Sequence, residues 1–266
     1  MKTRKLFIIS VALSVFSGSV HAAELENMLK RFKNDFFSVL TSPARLRKEN
    51  LLALAAFSGG CAALMVLDDD IKNFSQDPSN RNGGLDSVFS FAEIFGNGYF
   101  AGTVCCGVYA AGLGLKNREL KHAGFRLTES FLITGAITTI TKTVAGRARP
   151  NTGYGPFSYS PFSFNSQNRA FPSGHTSTAF SMATVIAGSY GRFPGICAYT
   201  AAALTGFSRI YYDWHWASDV FAGAVLGILV GRAVIKLAEN KTGLSIVPYV
   251  DSKENTAGLA LKYYFN

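Results

Sequence analysis

Six stretches of this sequence carry no charged side chain, and they constrain its fold more than any other feature. Ala, Gly and Leu dominate them, and their length and composition favour helices over strands. The stretches are Leu51–Leu67, Ile94–Leu115, Ser130–Thr141, Thr176–Gly191, Phe193–Ser208 and Val220–Gly231. The sequence therefore predicts an all-α fold, a helical bundle of about six core helices.

The lengths of these stretches bear on whether the helices cross a membrane. A span needs about 20 apolar residues, with about 18 as a working minimum. Only Ile94–Leu115, with 22 residues, exceeds that length, whereas Leu51–Leu67 has 17. In the whole chain 16% of residues are charged, against about 25% in an ordinary soluble protein, and the mean hydropathy is +0.17. We therefore predict a membrane-associated protein, with full spanning as the open alternative.

The two ends of the chain differ from this apolar middle. Residues 1–22 combine a basic start, an apolar run and a small-residue site ending at Ala22, which predict a cleaved export signal rather than an uncleaved anchor. Residues 23–50 form an amphipathic segment, expected to be a helix on the protein body or on a membrane surface. Residues 51–240 form the helical domain, and in the tail 241–266 two alternating stretches predict a small C-terminal β-hairpin appendage.

Two polar stretches between the apolar runs predict loops. Asp68 to Gly84 is rich in Asn, Asp, Ser and Gly. Asn151 to Arg169 alternates aromatic side chains with Gly, Pro, Ser and Asn, which predicts an apolar lip beside a ligand pocket or, alternatively, a self-packed surface loop.

The charge balance indicates an anionic partner. Lys and Arg number 26 against 17 Asp and Glu, for a net charge of +9. Removal of residues 1–22 would take away three positive charges and no acidic residue, which lowers the net charge to +6. This surplus suits an anionic ligand or an acidic lipid surface. No nucleic-acid partner is predicted, since the sequence carries no recognition motif for one.

Four cysteines lie in the apolar runs. They are Cys61, Cys105, Cys106 and Cys197. None has the spacing of a zinc site, so we expect buried free thiols.

Three short segments concentrate the polar residues that the apolar runs lack. In the first, Lys142 and Arg149 are seven residues apart, or two helical turns, so both side chains are expected on one helix face, before Pro150 ends the helix. A point charge beside a planar guanidinium suits an anion with several oxygens. Alone, two cations at a helix end also fit a role in stabilising the helix dipole.

The second segment, Phe171 to Thr176, opens an apolar run. Ser173 is a predicted N-cap, and the first-turn amides of the helix would point outward as donors to a phosphate. Gly174 would let the backbone approach that ligand closely, and His175 would lie where it can exchange a proton with it. The alternative is a capped helix with an incidental histidine.

The third segment runs from Ser208 to Asp219. His215 and Asp219 are four residues apart, so on a helix the carboxylate would contact the imidazole, fix its tautomer and leave the other ring nitrogen free to attack. Arg209 supplies a second guanidinium for the same anion. Such a pair alone is more often a surface ion pair. The three segments together describe phosphoryl transfer through a covalent histidine intermediate.

In this order, Lys142-x6-Arg149-Pro, Pro-Ser-Gly-His175 and Ser-Arg209-x5-His215-x3-Asp219 resemble the three-part signature of the type 2 phosphatidic acid phosphatase and vanadium haloperoxidase superfamily. The signature is complete at every position, and the resemblance covers roughly residues 128–232. It implies a histidine-nucleophile phosphatase that requires no metal and no other cofactor.

The resemblance also implies a role for each residue. His215 would take the phosphoryl group, Asp219 would orient it, and His175 would protonate the leaving group and then activate water. The residues implied to hold the phosphate oxygens are Lys142, Arg149, Ser173, Gly174 and Arg209. Arg147 lies close enough in the sequence to be a bystander or a helper.

We therefore expect a phosphatase acting on phosphate monoesters or diphosphates of lipids, such as phosphatidic acid, phosphatidylglycerophosphate, a polyprenyl diphosphate or a lipid A type molecule. The alternatives are a soluble exported non-specific acid phosphatase, a vanadium-dependent haloperoxidase and a non-catalytic envelope protein. The expected location is the periplasmic side of the cell envelope, in association with the membrane, with an integral inner-membrane protein as the alternative. An exported N-terminus followed by three crossings would leave Lys142 on the cytoplasmic side, which conflicts with the expected periplasmic location of the site. One of three assumptions must therefore be wrong: the export signal, the number of crossings or the spanning itself.

Overall fold

The computed structural model describes residues 22–41, 51–239, 244–251 and 256–263. Eight α-helices occur in these residues, and they confirm the prediction of a mostly helical fold. They are α1 (Ala22–Leu40), α2 (Leu51–Gln76), α3 (Gly83–Gly96), α4 (Gly98–Gly114), α5 (Arg118–Ala145), α6 (Gly174–Tyr190), α7 (Arg192–Tyr211) and α8 (Ala217–Glu239). Short 3-10 turns lie at Pro78–Asn80, Pro150–Thr152 and Ser166–Asn168.

Helix α6 is the centre of the bundle and packs against α5, α7 and α8. Small side chains allow this close packing: Ala179 and Ala183 of α6 form a buried cluster with Ala202 of α7. Helices α5 and α7 end, and α6 and α8 begin, at the same end of the bundle. Four charged or polar side chains of these helices are therefore brought together there, although they are far apart in the sequence: Lys142, His175, Arg209 and Asp219.

Helix α2 is longer than its apolar run. It continues through the three aspartates to Gln76, so the prediction of a loop from Asp68 to Gly84 is wrong over its first half. The physical reason is that the Asp68 carboxylate is fully buried and accepts hydrogen bonds from Arg147 and Ser218. These bonds offset the desolvation cost of placing an acidic side chain on the buried face of the helix. The loop is confined to the residues around the 3-10 turn, before Asn82 caps α3.

The long apolar run Ile94–Leu115 is not one helix. Asn97 has an extended backbone, and its side chain accepts from the Tyr99 amide as the N-cap of α4, so the run is divided between α3 and α4. The prediction that this run alone is long enough to span is therefore wrong. Instead, two helices of the described residues are long and apolar enough to cross a membrane: Leu51–Gln76 with 26 residues and Ala217–Ala238 with 22.

Helix α1 packs on the protein body, which is one of the two arrangements expected for the amphipathic segment. Phe32, Phe36 and Val39 contact a buried cluster formed by Ile133 of α5 and Val230 and Val234 of α8. This apolar stripe explains why the helix faces the bundle.

The remaining predictions concern the chain ends and the cysteines. The strands Leu244–Asp251 and Thr256–Tyr263 pair antiparallel, with Leu244 opposite Tyr263; their place as an appendage of the helical domain stays a prediction. Residues 1–21, which carry nearly all of the predicted export signal, lie outside the described residues. All four thiols are free, but Cys105 alone is fully buried and Cys197 is exposed, so the expectation that all four are buried is wrong.

Candidate active site

A pocket of about 300 Å³ opens at the end of the bundle where α5 and α7 end and α6 begins. Six residues that the sequence predicts as site residues line it, together with Glu93 and Trp214, which it does not predict. The six are Lys142, Arg149, Gly174, His175, Arg209 and His215. The three sequence segments therefore form one site.

Lys142 lies in the last turn of α5 and is largely buried. Its ammonium group donates to the backbone carbonyls of Arg169 (2.6 Å) and Ala170 (3.1 Å). The helix ends at Gly146, where φ is +62° and an added Cβ would lie 1.7 Å from the Ser160 carbonyl oxygen, so only glycine fits. Since α5 ends before residue 149, the prediction that Lys142 and Arg149 share one helix face is wrong.

The two guanidinium groups of the pocket are held by different partners. Arg149 donates from Nε to the Ser166 carbonyl (2.9 Å) and stacks over the Trp214 ring, 5.3 Å from its centroid. Arg209 forms an ion pair with Glu93, with 2.9 Å between Nη2 and Oε1. Glu93 lies on α3, a helix that the sequence patterns did not reveal, and no motif marks it.

The start of α6 supplies the backbone part of the site. Ser173 is the N-cap, as predicted, but it makes no side-chain capping bond; its buried hydroxyl accepts from the Thr176 hydroxyl at 2.8 Å and does not line the pocket. Gly174 and His175 do line it. Gly96 packs directly behind His175, because an added Cβ there would lie 2.7 Å from the histidine Cβ. Helix α3 therefore packs closely against the backbone and Cβ of His175.

His215 and Asp219 are brought together, with 3.5 Å between Nδ1 and Oδ2. The geometry differs from the predicted one, because α8 begins only at Ala217 and His215 precedes the helix. Asp219 lies in the first turn, where Oδ2 accepts from the Trp216 amide at 2.9 Å. The His215 amide donates to the Arg209 carbonyl at 3.2 Å, which ties the imidazole to the end of α7.

A buried ionic network lies behind this pair. Arg147 donates from Nη1 to Asp219 Oδ1 at 2.7 Å and from Nη2 to Asp68 Oδ2 at 2.8 Å, and all three side chains are fully buried. Arg147 therefore positions Asp219 and is not a bystander of the site. Asp68 is a further residue that sequence reasoning missed, since only its spacing within the Asp68–Asp70 run on α2 distinguishes it from its exposed neighbours.

The electrostatics of the pocket favour an anion. Burial and then the nearby arginines lower the pKa of Lys142 to about 7, and burial with the surrounding cations lowers the pKa of His175 to about 4. The pKa of His215 is also lowered well below its usual value by burial and by Lys142 and Arg149. Because burial is the larger cause of these shifts and the neighbouring positive charges add to it, a bound phosphate dianion would offset the second cause and raise all three pKa values.

The aromatic loop does not line this pocket, and its role as an apolar lip beside the pocket stays a prediction. None of its five aromatic side chains lines the pocket, whose aromatic wall is Trp214. Phe162 and Phe164 are instead exposed to 70% and 82%. Among the residues that the structure describes, no three His, Cys, Asp or Glu side chains are grouped to hold a metal ion.

The part of the chain that contains this site is similar to known proteins. Residues 123–242 match the family model described as the PAP2 superfamily. The "Lipid A 1-phosphatase" of Porphyromonas gingivalis is 39% identical over 127 residues, which cover 46% of this chain and 25% of that protein. "Lipid phosphate phosphatase 1" of Arabidopsis thaliana is 31% identical over 141 residues, covering 42% of this chain and 43% of the relative. The chain thus spans less than half the length of these curated relatives.

A solved structure has the same fold. It is that of the transmembrane PAP2 type phosphatidylglycerolphosphate phosphatase from Bacillus subtilis, with a TM-score of 0.51 and 20% sequence identity. The similarity covers 73% of this chain and 98% of the other.

Proposed function

We propose that this chain, a member of the PAP2 superfamily through residues 123–242, is a phosphatase that releases inorganic phosphate from phosphorylated lipids through a phosphohistidine intermediate. One observation carries the proposal: His215, backed by Asp219, lies in a pocket with three basic side chains and a helix N-terminus. This arrangement combines a nucleophile with groups that stabilise the charge of a phosphoryl group.

In the first step, the ring nitrogen of His215 that does not face Asp219 attacks phosphorus. The N–P bond forms as the P–O bond to the lipid breaks. His175, protonated because the bound phosphate raises its pKa, donates a proton to the leaving oxygen. Asp219 stabilises the positive charge that develops on the His215 ring. A neutral His215 suits this step, since its lowered pKa keeps the lone pair available at neutral pH.

In the second step, His175 accepts a proton from water, which attacks phosphorus and breaks the N–P bond. Lys142, Arg149 and Arg209 hold the non-bridging oxygens in both steps, with the amide of Gly174. Ser173 as a phosphate ligand stays a prediction, because its hydroxyl is engaged with Thr176.

A lipid substrate is supported by the exposed apolar surface of α2. In the candidate span Leu51–Gln76 only 6% of the most apolar window is buried, and Leu52 is 80% exposed. Such a surface requires another apolar phase. We therefore include membrane association in the proposal, with the site on the periplasmic side after export and the C-terminal strands as an appendage.

The test uses the full chain purified in detergent. It should release phosphate from phosphatidic acid in mixed micelles in the presence of excess chelator, since the proposed mechanism uses side chains alone. A soluble phosphomonoester at the same concentration should react more slowly. Failure to hydrolyse either substrate would contradict the proposal, and equal rates would favour a non-specific acid phosphatase.

The pH dependence of kcat/KM should reflect the ionisation of Lys142. Its pKa of about 7 means that the ammonium charge is present below that pH and is lost above it, so kcat/KM should fall as the pH rises from 7 to 9. Lys142→Arg keeps its charge over this range and should move the alkaline limb upward by more than about one pH unit. Exposed Lys116 lies outside the pocket, and Lys116→Arg is the matched control. If the alkaline limb of the pH profile were unchanged in Lys142→Arg, the ionisation of Lys142 would be excluded as the origin of that limb.

A further inference from the structure

One of the described residues that line the phosphate pocket is acidic, and it lies outside the three sequence segments. Glu93 of α3 lines the pocket together with three basic side chains, those of Lys142, Arg149 and Arg209. A carboxylate in this position repels an anionic ligand and so weakens its binding. The negative charge of Glu93 therefore needs an explanation of its own.

The three cations of the pocket are held in two different ways. Lys142 and Arg149 donate to backbone carbonyls, which have no net charge, so both keep their positive charge available for a ligand. Arg209 instead pairs with the Glu93 carboxylate, and its Nε is buried without a hydrogen-bond partner among the described residues. Before a ligand binds, the lowered pKa values keep both histidines of the pocket neutral. With Lys142 protonated, the lining side chains thus carry two uncompensated positive charges.

Helix α3 holds the backbone of Glu93 in place beside the pocket. Thr205 Oγ1 of α7 donates to the carbonyl of the preceding residue, Ala92, at 2.7 Å. Two turns earlier on α3, the Asp86 carboxylate accepts from the Tyr211 hydroxyl of α7 at 2.8 Å. Because α3 is bonded to α7 at both points, a bound anion cannot avoid the carboxylate through a shift of the helix.

Glu93 lies nearer to solvent than the groups it faces. Its side chain is 37% exposed, against 4% for Arg209 and 5% for His215. A phosphoryl group in contact with His215 therefore occupies the deep part of the pocket, and the rest of the substrate extends past Glu93. Since electrostatic repulsion weakens with distance, the carboxylate acts more strongly on a second phosphate than on the phosphate at His215.

We propose that Glu93 is a specificity-determining residue, which restricts this pocket to phosphate monoesters by repelling the second phosphate of a diphosphate. The inference rests on the proposed function and narrows its substrate class. The dianion of a monoester matches the two uncompensated positive charges of the pocket. A diphosphate brings further negative charge to the side of the pocket where Glu93 lies.

The first test measures binding without turnover. In full-length His215→Ala protein in detergent, calorimetric titration should give a dissociation constant for inorganic phosphate at least about tenfold lower than for pyrophosphate. Adding Glu93→Gln, which keeps the side-chain size and an acceptor for Arg209, should reduce this difference to less than about threefold. Glu119→Gln, which neutralises an exposed carboxylate in the first turn of α5, is the matched control and should preserve the difference. Equal affinity for the two anions with Glu93 intact would overturn the inference.

The second test measures turnover with His215 intact. The substrates are phosphatidic acid and diacylglycerol diphosphate with the same acyl chains, in the same micelles. Glu93→Gln should raise the ratio of kcat/KM for the diphosphate to kcat/KM for the monoester by about tenfold, chiefly through a lower KM for the diphosphate. If Glu93 served only to hold Arg209, its substitution would change kcat/KM for both lipids by the same factor. An unchanged ratio in Glu93→Gln would therefore contradict the inference.

These measurements separate the specificity from the proposed function. Equal kcat/KM for the two lipids in the wild-type protein would refute the role of Glu93 and leave the phosphatase proposal intact. If neither lipid were hydrolysed while His215→Ala protein still bound phosphate more tightly than pyrophosphate, the proposed function would fail. The selection of a single phosphate group by the pocket would then stand.

Discussion

His215→Ala is expected to lower kcat for phosphate release by at least about 10⁴-fold, because it removes the atom to which the phosphoryl group is transferred. The fold and the cation cluster should persist, since the imidazole makes one ion contact, at 3.5 Å, and lies at the pocket wall. Substrate binding should therefore survive the substitution. The measurement is phosphate release under saturating substrate, with binding followed separately on the same protein.

A trapping experiment separates the nucleophile from the general acid. Acid-labile radioactive phosphate should be recovered on wild-type protein quenched during turnover, and should be absent from His215→Ala. His175→Ala should retain the label for longer when the substrate has a good leaving group, because the second step then lacks the base that activates water. His122→Ala on α5, away from the pocket, is the matched histidine control and should behave as wild type. Label on His215→Ala protein would refute the assignment of the nucleophile.

Arg147→Met is expected to reduce the free energy of unfolding by about 3–5 kcal/mol, because it leaves the buried carboxylates of Asp68 and Asp219 without their counter-ion. The loss of activity in the fraction that stays folded should appear in kcat more than in KM, since Asp219 would no longer be held behind His215. The measurement is denaturant unfolding in detergent micelles, with kinetics on the folded fraction.

The buried ionic network predicts that a second substitution restores part of the stability lost in Arg147→Met. Asp68→Asn in the Arg147→Met background removes one of the two orphaned charges, so the double variant should be more stable than Arg147→Met alone. The exposed Arg192 at the start of α7 is the control, and Arg192→Met should change stability by less than about 0.5 kcal/mol. Additive losses from Asp68→Asn and Arg147→Met would show that the two side chains do not act as one buried ionic unit.

The helical fold could be predicted from the sequence because helices are specified locally. Uncharged runs of 12 to 22 residues dominated by Ala, Gly and Leu indicate helices without reference to their neighbours. The residues at which the helices begin and end could be predicted less well from the sequence. Asn97 divides a continuous apolar run by capping α4, and α2 continues through three aspartates because one of them is buried against Arg147.

The sequence by itself predicted the chemistry of the site, because the three segments contain the proposed nucleophile, the proposed acid and the cations within short spacings that the chain order preserves. Only the tertiary structure decided which other residues serve it. Asp68 and Glu93 come from segments with no motif, and Arg147 lies in the first segment at a position that the signature leaves open. Their roles depend on burial and on contacts across 70 residues or more of chain, such as the 79 that separate Asp68 from Arg147. Buried charges are stabilised by whatever partner the packing brings into contact, and that pairing is a property of the folded bundle.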